Sequence, residues 1–193
     1  VDASYLKDSD GTEISPEKVF PSQYSNRKEY PGLWGAVIHE AAHAAHTGWL
    51  ELLPASGQLP EGVNRHWLDA AILMEEPRIE HQQLRERGGD RRWLRACTKQ
   101  IVMDEGGAPS SKGAIAKSMI LVGGRAIAGV IDDTEAQSIF ELAEAEFGAD
   151  AMAGMKQIIE DVMDVADDDM EGMLALGHRW VDLLGEENDG TSG

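Results

Sequence analysis

Two histidines separated by three residues, with a glutamate directly after the first, make up the segment Ile38-His39-Glu40-Ala41-Ala42-His43. On an α-helix, residues four apart lie one turn above each other on one face, so His39 and His43 can offer imidazole nitrogens to a single zinc ion. Glu40 is turned off that face and comes to lie beside such an ion rather than on it. A carboxylate there can take a proton from water that the metal makes acidic, so the spacing points to metal-assisted hydrolysis with Glu40 as general base. The alanines around the pair keep the helix surface small, which permits close packing beneath a metal.

A catalytic zinc needs a third protein ligand and an open position. His46 lies seven residues past His39, about 10 Å along a helix, too far to share a tetrahedral ion with bonds of about 2 Å, and a hydrogen-bonded role off the metal fits it better. The longer pattern with glycine at 46 and histidine at 49 is absent, because those positions hold His46 and Trp49. The third ligand is instead expected from a carboxylate in Leu73-Met-Glu75-Glu76-Pro77-Arg78-Ile79-Glu80. Glu76 has Glu80 one turn on, so a ligand and a carboxylate orienting a histidine could stack on one face.

These residues resemble the HExxH zincins of gluzincin type, and more loosely the peptidase-like modules that accompany von Willebrand A domains in bacterial and phage proteins. The resemblance spans roughly residues 1–87 and rests on His39-Glu40-x-x-His43 and the Glu75-Glu76-Pro77-Arg78-x-Glu80 run. It implies a zincin-like helical domain and a zinc metallopeptidase that acts on a peptide or protein substrate. It further implies His39 and His43 as ligands, Glu40 as base, and Glu75 or Glu76 as third ligand. The family spacing favours Glu75, against the face-stacking argument for Glu76, and both are kept.

Hydrolysis also needs a group to stabilise an oxyanion. His178, in the late segment Leu176-Gly-His-Arg-Trp180, is the leading candidate, followed by Arg78, Tyr24 and Tyr30. His66 and His81, flanking the glutamate segment, read as surface residues.

The elements that must position this chemistry are mainly helical. Apolar spacing predicts helices over 32–47, 63–87 with Pro77 as a kink or fresh start, 91–103, 110–130, 134–147, 149–165 and 170–184. Met152, Met155, Ile159 and Met163 recur at helical spacing and are expected in the core. The first thirty residues, interrupted by Pro16 and Pro21 and closed by Pro31, read as irregular, with a possible strand over 1–7. Ser4-Tyr5-Leu6-Lys7 could serve as the edge strand on which a peptide substrate lies. The expected class is therefore mainly α, or α+β with a small N-terminal strand or sheet. One domain over 1–185 and a polar tail over 186–193 account for the chain.

Composition limits the partners. The 193 residues carry 35 acidic against 17 basic side chains, a formal charge of −18, which repels phosphate backbones and anionic lipid alike. Eighteen of the acidic residues fall between Asp132 and Asp189, where only two are basic. Nucleic acid is a poor partner for such a surface, and no stretch is apolar enough for a membrane span. The lone Cys97 has no partner for an internal bridge and no export signal is evident, so the expectation is a cytoplasmic protein. The chain opens at Val1 and ends in a glycine-containing tail, which points to an additional domain or partner protein outside this sequence.

Overall fold

A computed structural model describes residues 12, 23–53, 59, 61–103 and 109–185. Among these the architecture is mainly helical and contains no strand. The strand expected over 1–7, including the edge strand Ser4–Lys7, and the tail over 186–193 lie outside the described residues.

A short helix, α1 (Tyr24–Glu29), occupies part of the stretch read from sequence as irregular. It fits between two prolines, with Arg27 and Lys28 in its last turn, where cations complement the helix dipole. The Arg27 guanidinium lies 4.6 Å over the Trp34 ring and ties it to the next helix. That helix, α2 (Pro31–His46), starts on a proline at its first turn, where the missing N–H costs nothing, and carries the histidine pair.

The long helix α3 (Arg65–Glu86) begins behind Asn64, whose side chain caps the His66 N–H, and runs unbroken through Pro77. A proline inside a helix removes one backbone bond and costs about 3 kcal/mol in isolation. Here Pro77 is buried, the helix around it is held by tertiary packing, and no fresh helix starts at it. The stretch α4 (Arg91–Cys97) continues into a π-helical turn, Thr98–Met103. A second π turn, Met119–Gly123, separates α5 (Lys112–Ser118) from α6 (Gly124–Ile127). Apolar spacing read at 3.6 residues per turn merges these pieces into single helices, because one widened turn barely shifts the pattern. The remaining helices, α7 (Asp133–Phe147), α8 (Ala149–Met163) and α9 (Met170–Leu184), follow the expected bounds closely.

The core gathers around α3, which packs along α9 and against α8 and α2. Met152, Met155, Ile159 and Met163 are all buried in it, as their spacing implied. No helix among the described residues is long and apolar enough to cross a membrane.

Helix α2 lies lengthwise on α4, and the approach depends on a glycine. A Cβ on Gly35 would stand 2.0 Å from the Trp93 carbonyl oxygen and 2.5 Å from Cβ of Cys97. Since His39 sits one turn further along the same face, this contact also sets how the site helix is seated. Gly35→Ala should therefore lower stability by at least the ~1–3 kcal/mol typical of overpacking, read as a fall in thermal midpoint by circular dichroism. An unchanged midpoint would show that the two helices can separate freely.

Candidate metal centre

Three side chains from α2 and α3 converge. Glu76 Oε2 stands 3.2 Å from His39 Nε2, and Glu76 Oε1 stands 3.5 Å from His43 Nε2. The two imidazoles meet edge to face, with centroids 4.7 Å apart. One ligand atom from each of the three side chains lies within 4.8 Å of the others, close enough for the group to hold one ion. Among the described residues no other set of three His, Cys, Asp or Glu side chains converges in this way.

Each histidine is oriented from behind. His39 Nδ1 donates to Glu80 Oε1 at 2.8 Å, and His43 Nδ1 is hydrogen-bonded to Thr47 Oγ1 at 3.0 Å. With Nδ1 engaged, Nε2 of each ring faces the shared point, the arrangement by which metal-bound histidines are usually fixed in tautomer and direction. Glu80 is itself buried and grasped by Arg125, whose Nε and Nη2 donate to its two oxygens at 2.9 and 3.0 Å.

The charges are coupled. Burial works against a charged His39, yet its hydrogen bonds to Glu76 and Glu80 prevail and raise its pKa to about 9 without a metal. Burial likewise opposes the Glu76 carboxylate, but His39, His43 and the Arg125 charge hold it well below the usual carboxylate range. A proton on His39 Nε2 thus stands where a metal would bind, and it must leave first. Because the pKa lies above neutrality, zinc affinity should rise by up to tenfold per pH unit as pH climbs toward about 9, then level off. Titration calorimetry at pH 7 in buffers of different ionisation enthalpy should show about one proton released from this site per zinc. A pH-independent affinity would contradict the coupling.

Glu75, directly before Glu76 in the chain, is not brought to the histidines. It is turned into the interior, where Arg78 Nε and Nη2 donate to its oxygens at 2.7 and 3.0 Å, with both side chains almost wholly buried. Of the two glutamates it is Glu76, and not Glu75, that the fold brings to the histidines: neighbours on a helix diverge by about 100°, and only one of them can face α2. Arg78 also donates to the carbonyls of Val165 and His46 and to Asp167 Oδ1. Asp167 in turn contacts His46 Nδ1 at 3.2 Å and accepts the Trp49 N–H on its carbonyl at 2.7 Å. His46 is buried in this knot, apart from the group formed by His39, His43 and Glu76. The knot pins the end of α2 to α3 and to the α8–α9 connection.

The remaining sequence candidates are placed elsewhere. Glu40 is exposed on α2 between the two histidines in sequence. His178 stacks on Trp67 at 3.8 Å and pairs with Asp182. Trp67 precedes Glu76 by nine residues on α3, about 13 Å of helix, so the fold does not bring His178 to the convergent group. Arg78 is committed to the knot, and Tyr30 is buried against Leu33 and Ile101. The side chain of Tyr24 lies outside the described residues. His66 is exposed, and His81 is half-buried with Nδ1 3.3 Å from the Ala128 carbonyl oxygen. Thr47 and Arg125 went unrecognised in the sequence. Thr47 four residues after His43 was a legible signal, whereas nothing local marks Arg125.

No protein-family model, curated protein or solved structure matches the chain. The reading of the site therefore rests on its own residues.

Proposed function

We propose that the protein is a zinc-dependent metallopeptidase in which His39, His43 and Glu76 hold the ion. The observation that carries this reading is the convergence of both Nε2 atoms on the Glu76 carboxylate with Glu80 behind His39. A set of three protein ligands is the number found in catalytic rather than structural zinc sites. Zinc bound there supplies a water of lowered pKa and polarises a carbonyl. Glu40, next in chain to His39 yet outside the His39–His43–Glu76 group, would be the residue that holds and moves the proton as general base. The substrate is a peptide or protein.

The test is elemental analysis of the purified protein beside His39→Ala, followed by hydrolysis of a fluorescently labelled unfolded protein. One zinc per chain, lost in the variant, with turnover stopped by a chelator and restored by zinc, is the expected result. Failure to take up zinc after reconstitution overturns the reading. A second reading, a zincin-like module that holds metal without hydrolysis, is favoured by the engagement of Arg78 and His178 elsewhere, away from any oxyanion. Stoichiometric zinc with no turnover on any peptide would select it.

A further inference from the structure

We propose that Arg125 is a positioning residue for the metal centre, acting through Glu80 to fix the ring of His39; this rests on the reading of His39, His43 and Glu76 as metal ligands. Arg125 is 3% exposed and fully committed. Nε and Nη2 grip the two oxygens of Glu80, Nη1 donates to the Leu121 carbonyl at 2.9 Å, and Nη2 also lies 3.6 Å from Glu76 Oε2. Glu80 Oε1 is shared between this guanidinium and His39 Nδ1. The planar fork sets the plane of the carboxylate, and the carboxylate sets the direction of the imidazole.

The cation reaches this place by a specific contact. Gly124, at the start of α6, lies against Pro77, where a Cβ would come within 3.0 Å of the proline Cγ. Pro77 stands between Glu76 and Glu80 on α3, so seating Gly124 on it brings the next residue, Arg125, to both carboxylates. A buried ion pair seldom stabilises a fold more than apolar residues of the same size. Its position one carboxylate behind a ligand histidine gives this one a use: a lost outer-shell partner typically costs 10–100-fold in metal affinity.

The test uses zinc alone, competed against a chromophoric chelator, on the full chain. Arg125→Met should weaken zinc binding at least tenfold, and Glu80→Gln should do the same. The double variant should bind within about twofold of Glu80→Gln, since Arg125 acts through that carboxylate. Arg125→Lys, which keeps the charge and loses the fork, should recover only part of the affinity. The His39 Nδ1–H resonance of the zinc-loaded wild type should broaden or vanish in Arg125→Met, a change that loss of stability alone does not produce. Should Arg125→Met fail to fold, Arg125→Lys carries the same affinity and resonance measurements. Wild type that takes up no zinc overturns the metal-centre reading itself. Zinc-loaded wild type, with variants of equal affinity and an unaltered His39 signal, overturns the role of Arg125 alone. Losses that simply add in the double variant refute action through Glu80.

Discussion

Glu76→Ala should leave the protein folded and without stoichiometric zinc, while its neighbour Glu75→Ala should keep the metal and lose much of the fold's stability. Glu76 is partly accessible and holds both histidines through its two oxygens, so its removal deletes a ligand and little packing. Glu75 is 1% exposed and answers the guanidinium of Arg78, which is itself wholly buried. Deleting one partner of such a pair leaves the other charge uncompensated, at a cost of about 3–5 kcal/mol. In a domain of this size that lowers the thermal midpoint by on the order of 10 °C. Arg78 would retain Asp167 and two carbonyls, which moderates the loss without removing it. Zinc content and a circular dichroism melt, measured on both variants, decide the matter. Loss of zinc in Glu75→Ala with an unchanged melt would return the ligand role to Glu75.

The second large effect is expected at Glu40. Glu40→Gln keeps the size and hydrogen-bonding reach of the side chain but cannot accept a proton, so zinc should be retained while turnover falls by about 10²–10⁴. His43→Ala makes the contrasting control, because it removes an Nε2 donor and should lose the metal and turnover together. Full turnover in Glu40→Gln would assign the base elsewhere. Loss of zinc in that variant would instead show Glu40 to be part of the metal's support.

Much of this arrangement follows from short-range pattern. Helical spacing places His39 and His43 on one face of α2, separates Glu40 from them, sets His46 about 10 Å along the helix from His39, and sends Met152, Met155 and Met163 into the core. Each of those relations is set by the pitch of a single helix, which neighbouring residues alone determine. The same pitch pairs Glu76 with Glu80 and Glu75 with Arg78, but it cannot say which pair faces α2. That depends on the rotation of α3 about its own axis, fixed by packing against α9, α8 and α2, where Gly177 lets the helices touch: a Cβ there would stand 2.1 Å from the Trp67 carbonyl oxygen. The widened turns at Thr98–Met103 and Met119–Gly123 and the unbroken passage through Pro77 are likewise products of packing. Arg125 stands 45 residues beyond Glu80 in the chain, and no local periodicity links them. Local periodicity is enough to give most of the helices and to put His39 and His43 on one face of α2. Contacts between distant helices set the turn of α3 that brings Glu76 rather than Glu75 to those histidines, and the reach of Arg125 to Glu80.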